Sequence, residues 1–248
     1  MTREETGITT RDGISPARVF IPEGKGPWPA VIFYMDAFGM RPAMSEMADR
    51  LSRGGYLVLL PDIFYRLEDQ EPRVPSDASK NPALREKLMK KVATLDREKR
   101  IADGQAYIEF LSSRKEAKGK CFGVIGYCMG GNVALTVAGA YPERFAAIAS
   151  FHGGNLAADK PESPHHFLKN LSGKVYVAGA DADASFPEEQ KERLEKALAD
   201  AGIDHLVETY SGARHGFAVP DSPAFDRDAC ERHWKALFDL LGSAQWNR

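Results

Sequence analysis

Short, almost continuously apolar runs recur along this chain, each followed by a stretch with helical spacing, and this alternation constrains the fold more than any other feature. The runs cover residues 30–35, 56–61, 121–126, 146–151, 175–180 and 205–210. Most are apolar at nearly every position, not at every second one, which is the pattern of strands covered on both faces. Between them, Met44, Met47, Ala48 and Leu51 fall at i, i+3, i+4 and i+7, after Pro42 and before Gly54-Gly55. Pro187, Glu188 and Glu189 open a helix that turns Leu194, Ala197, Leu198 and Ala201 inward and closes at Gly202. Ile101, Ile108 and Leu111 mark another helix, and Cys230, Trp234, Leu237 and Leu241 a last one over about 223–241. Strands alternating with helices predict an α/β fold, a mostly parallel central sheet with helices on both faces. Residues 19–21, beyond the Asp12-Gly13 turn signal, are expected as an antiparallel edge strand. Chemistry in such sheets sits at the carboxyl ends of the strands.

The 248 residues suit a single α/β domain spanning 1–248, and 43% apolar residues suffice for a full core. A net charge of −2, with no long run of lysine or arginine, gives no footprint for nucleic acid or a membrane surface. No apolar stretch reaches membrane-spanning length, and the polar first thirteen residues carry no secretory signal, so a cytoplasmic protein is expected. Three cysteines, an odd and sparse set, do not make a disulfide framework. Residues 64–100, with Pro72, Pro75 and Pro82 followed by many charges, are expected to form a solvated excursion with one amphipathic helix. The alternative is a cap that helps wall the site.

Gly126-Tyr127-Cys128-Met129-Gly130 lies between an apolar run and a small-residue helical segment. A nucleophile between two glycines in that context is the signature of a strained strand–turn–helix elbow that exposes its side chain at a sheet end. The nucleophile here is a thiol, which needs less help from a base than a hydroxyl does. In this architecture a carboxylate and then a histidine should follow in the chain. The 175–180 run ends in Gly179-Ala180-Asp181, and the 205–210 run leads to Arg214-His215-Gly216-Phe217. Cys128, Asp181 and His215 are thus the expected triad. Asp181 is preferred to Asp183 because it directly ends the Gly-x-Asp signature. Cys121 and Cys230 read as core residues. His165-His166 has no third ligand at suitable spacing, so no metal site is expected.

These segments, together with Met35-Asp36-Ala37-Phe38-Gly39, Leu60-Pro61-Asp62-Ile63-Phe64 and the full Gly-Tyr-Cys-x-Gly-Gly of the elbow, resemble the dienelactone hydrolase family of α/β-hydrolases over nearly the whole chain. The resemblance implies a Cys–His–Asp triad acting on small esters and lactones, without metal or organic cofactor, in a monomer. It also implies an oxyanion hole built from the N–H groups of Met129 and Ala37. Asp36 stands where well-known members have a glutamate that contacts and activates the thiol, and is expected to be thiol-activating or substrate-binding. His152, in Phe151-His152-Gly153-Gly154, is expected to face the pocket. Val219 takes the place of an arginine that binds a substrate carboxylate, so weaker recognition of anions is expected, with Arg66, Arg73 or Arg85 as candidates for a second such contact. A thiol-redox protein would need a resolving cysteine near Cys128, yet Cys121 begins the same strand, about 20 Å away at roughly 3.3 Å per residue. A non-catalytic binding module would show decay of the elbow or the histidine, and both are intact.

Overall fold

The computed structural model describes residues 2–67 and 80–247. Eight strands form one sheet: β1 (Thr2–Thr10), β2 (Gly13–Ile21), β3 (Trp28–Tyr34), β4 (Leu57–Pro61), β5 (Ala117–Tyr127), β6 (Phe145–Phe151), β7 (Lys174–Ala180) and β8 (His205–Tyr210). Their spatial order is β1-β2-β4-β3-β5-β6-β7-β8, parallel from β4 to β8 and antiparallel at β1 and β2. Every residue of β4 and β6 is buried, as continuous apolar runs require of strands covered on both faces. Each fully buried Leu, Ile or Phe contributes about 1.5–3 kcal/mol, so this central core outweighs any surface contribution.

The helices are α1 (Pro42–Arg53), α2 (Pro82–Ala93), α3 (Arg97–Ser113), α4 (Met129–Ala140), α5 (Glu188–Asp200) and α6 (Arg227–Gly242). Pro42 starts α1, and Gly54 and Gly55 end it by donating their N–H groups to Leu51 and Ser52 carbonyls. Asn81, Asp96 and Asp226 cap α2, α3 and α6 by accepting first-turn N–H groups. α4 lies against β5 and β6, which fixes the direction of the turn between β5 and α4.

Three elements differ from the sequence expectation. The segment 19–21 belongs to the longer β2, which is flanked on both sides, and the edge is β1. β1 was illegible because only Ile8 of its nine residues is buried. The last helix begins at Arg227, not near 223, because 222–226 form a turn in which Phe225 donates to Ser222 and Asp226 to Phe217. Within 64–100, α2 buries only Leu88, yet its Arg85, Met89 and Val92 reach the cavity described below.

Candidate active site

β5 runs into α4 through Cys128, whose φ of 55° and ψ of −122° put a non-glycine residue in a strained backbone region. The flanking glycines are sterically required. A Cβ on Gly126 would lie 2.0 Å from the Gly130 carbonyl oxygen, and one on Gly130 would lie 2.4 Å from that of Met35. Cys128 N–H donates to Phe151 C=O and Gly131 N–H to Cys128 C=O, which holds the turn. The strain aims the half-buried Sγ at His215, 3.0 Å from Nε2.

On the other side of the ring, His215 Nδ1 lies 2.7 Å from Asp183 Oδ2. Ser185 donates from its backbone N–H and from Oγ to the second oxygen, Asp183 Oδ1. The carboxylate is therefore an acceptor on both sides, so Nδ1 carries the proton and Nε2 faces the sulfur. Asp183, not Asp181, is brought to the histidine. Asp181 still follows the sheet, with its N–H on Ala213 C=O, and its exposed carboxylate accepts from Gly212 N–H. Ala182 then adopts a φ of 48°, which turns the chain and sends the next side chain inward. The Gly-x-Asp pattern misled because one left-handed residue moved the site two positions along.

Burial alone would lower the His215 pKa, but the Cys128 charge, then the Asp183 hydrogen bond, outweigh it and raise the value to about 10. Burial likewise works to raise Asp183, yet its bonds to His215 and Ser185 prevail and leave it below the ordinary range. A protonated imidazole between a sulfur and a carboxylate is what these signs describe.

Cys128, His215 and Asp183 line a cavity of about 540 Å³ together with Ala37 and Met129. Met129 is the first residue of α4, so its N–H has no intrahelical partner. In the loop after β3, Asp36 takes up the N–H groups of Phe38 and Gly39, which leaves the Ala37 N–H out of those bonds.

Two expected contacts are absent. Asp36 does not reach the thiol: it is buried, and Arg41 grips both its oxygens at 2.7 and 2.9 Å. His152 does not face the cavity: it is 1% exposed and packs edge-on against His215 and Phe217, with ring centroids 5.3 and 5.1 Å away. Neither of its ring nitrogens has a partner among the described residues, and burial holds its pKa well below the ordinary value. His165 bonds Ser163 and stacks on His166, and no group of three or more metal-ligating side chains occurs among the described residues.

Of the arginines singled out in the sequence, Arg66 is committed to Asp12 and Asp103, Arg85 sits on the cavity wall, and Arg73 lies outside the described residues. Val219 is buried away from the cavity wall. Sequence reasoning missed Arg100, in the first turn of α3. Its Nη1 donates to Asn132 Oδ1 at 2.6 Å, and Asn132 is held in turn by the Gly154 and Asn155 carbonyls. Arg100 lines the cavity, its Nε has no partner among the described residues, and desolvation depresses its pKa against the weaker pull of the Asp96 charge. Nothing in its charged, helical surroundings distinguishes it in the sequence.

The chain matches the profile of the dienelactone hydrolase family over residues 16–245. It belongs to that family. Among similar proteins, one from Yersinia pestis named "Putative carboxymethylenebutenolidase" is 27% identical over 240 residues, covering 95% of this chain and 86% of that one. The crystal structure of a Klebsiella pneumoniae protein named "Putative Dienelactone Hydrolase" superposes with a TM-score of 0.82 at 21% identity, over 98% of both chains. A dienelactone hydrolase-like promiscuous phosphotriesterase from metagenomic libraries gives 0.78 at 24% identity, over 97% of both. The eight-stranded sheet is the fold these structures share, and the chain is a dienelactone hydrolase-like hydrolase. No helix among the described residues is long and apolar enough to cross a membrane.

Proposed function

We propose that this protein hydrolyses small carboxylic esters or lactones through a covalent thioester on Cys128. The observation that carries the reading is the unbroken line Sγ–Nε2–ring–Nδ1–Oδ2, with bonds of 3.0 and 2.7 Å, on the wall of the cavity. Cys128 Sγ, as the thiolate of a thiolate–imidazolium pair, adds to the carbonyl carbon. The oxyanion is met by the N–H groups of Ala37 and Met129, each able to lower the barrier by about 3 kcal/mol. Collapse expels the alkoxide, which takes the proton from His215 Nε2 and leaves an acyl-thioester.

Acylation also retunes the base. The largest influence raising the His215 pKa is the charge on Cys128, and that charge vanishes once sulfur is acylated. The imidazole then becomes the neutral base that accepts a proton from the incoming water, while Asp183 keeps Nδ1 protonated throughout. The second addition ends with the acid released and the sulfur–imidazole pair restored.

Arg100 supports a substrate that carries an anionic group, such as a carboxylate, away from the scissile bond. A half-buried guanidinium whose side-chain hydrogen bond among the described residues goes to an amide, with the Asp96 charge too weak to offset its desolvation, gains a directly bonded counter-charge when an anion enters. This offsets the contact that Val219 lacks. The redox alternative has little support, since Cys121 and Cys230 are buried and their thiols donate to the carbonyls of Glu143 and Ala218.

The test is p-nitrophenyl acetate hydrolysis by wild type and by Cys128→Ala. The variant is expected to lose at least about 10³-fold in kcat/KM, in line with loss of a covalent nucleophile. Turnover that survives the substitution would end the proposal.

A further inference from the structure

Arg41 sits at the N-terminal cap of α1, 4% exposed, between two carboxylates that come from different loops. One edge of its guanidinium donates to Asp36, Nη1 to Oδ1 at 2.7 Å and Nη2 to Oδ2 at 2.9 Å. The other edge donates to Asp221, Nε to Oδ2 at 2.7 Å and Nη2 to Oδ1 at 2.8 Å. The remaining Nη1 proton points to Gly39 C=O at 3.4 Å. All five donors of the planar fork are in use, which a lysine could not reproduce.

The two carboxylates sit beside the two halves of the machinery. Asp36 immediately precedes Ala37, so a single peptide unit separates the clamped residue from the oxyanion N–H. Asp221 closes the loop that carries His215, in which Phe217 donates to Arg214, Val219 to Gly216 and Ser222 to Val219. We propose that Arg41 is a positioning residue: by bridging Asp36 and Asp221 it fixes the oxyanion loop relative to the histidine loop, and it keeps Asp36 from acting as a base toward the thiol. Activation of Cys128 then falls to His215 and Asp183 alone. Among the described residues the two loops share no backbone hydrogen bond to hold them in register, and an error of about 1 Å in such a constellation can cost about 100-fold in rate.

The inference rests on the proposed hydrolysis for its kinetic arm but not for its chemical one. Arg41→Met leaves a buried Asp36 charge unpaired and risks misfolding. Asp221→Ala is the informative variant, because its side chain is 37% exposed and its removal leaves a neutral Asp36–Arg41 pair. Three quantities are measured: kcat and KM on p-nitrophenyl acetate, the pH profile of Cys128 alkylation by iodoacetamide, and the thermal midpoint. The expected result is a kcat lower by about tenfold or more with KM within about twofold, and an alkylation profile displaced to higher pH, because the sulfur–imidazole distance is no longer held. Asp221→Glu should recover part of both. A purely structural bridge would lower the thermal midpoint while leaving the alkylation profile and the kcat at 25 °C unchanged, and that outcome overturns the proposal. A wild type without Cys128-dependent turnover refutes the hydrolase reading instead. The alkylation arm still decides the clamp in that case, since it needs no substrate.

Discussion

Replacing Asp183 with asparagine should cost far more than the same change at Asp181, and the structure says why. Ser185 donates twice to Asp183 Oδ1, from its N–H at 2.9 Å and its Oγ at 2.7 Å. In Asp183→Asn those donors select the amide oxygen, so the amide NH₂ turns toward His215 Nδ1. A donor there cannot accept the Nδ1 proton, so the imidazolium gives way to a neutral ring with its proton on Nε2, which can no longer take the proton from the thiol. The imidazolium also loses a charged partner at 2.7 Å, a bond of the kind worth about 1.5–3 kcal/mol. Ser185 Oγ, 3.2 Å from Nδ1, remains as a weaker acceptor and preserves some of the correct tautomer. Together these point to a loss of about 10²–10³ in kcat/KM, roughly 3–4 kcal/mol at 1.36 kcal/mol per tenfold. In Asp181→Asn the amide oxygen still accepts the Gly212 N–H on the surface, and activity should stay within about twofold, as for most surface changes. The assay is steady-state hydrolysis of p-nitrophenyl acetate by both variants. Equal losses at the two positions, or the larger loss at Asp181, would refute the assignment.

The remaining expectations concern proton and substrate. The folded His215 value, about 10, lies above its unfolded value of about 6.5. The pair therefore stabilises the fold fully below pH 6.5 and loses that contribution as pH rises toward 10. Activity should fall on the same alkaline limb, as the acid that protonates the leaving group is lost. In Cys128→Ala, an NMR titration of the His215 ring should show its midpoint displaced downward, because the sulfur charge is gone; an unmoved midpoint would assign the whole effect to Asp183. Arg100→Gln should raise KM for a carboxylated ester by about tenfold or more while altering its neutral analogue little. Equal effects on the matched pair would remove the argument for an anionic substrate.

Much of this was legible along the chain, because the information is local. The apolar runs of β4, β6 and β7 are set by burial on both faces, and the elbow by two glycines that must approach backbone within van der Waals distance. β1 escaped notice because a strand with a single buried residue carries almost no hydrophobic pattern. The cysteine and the histidine were readable from glycine brackets and chain order, since the backbone at both positions is constrained by its immediate neighbours.

Amino-acid order thus determined the parallel sheet, the elbow and which sulfur and imidazole would be offered. Tertiary structure alone decided what those groups touch. The left-handed turn at Ala182 chose Asp183 over Asp181, Arg41 drew Asp36 away from the thiol and across to Asp221, and α3 delivered Arg100 to the cavity. The reason is physical: burial and backbone strain act on a residue through its neighbours in sequence, whereas a carboxylate chooses among donors by distance and direction, and these exist only after the loops have met.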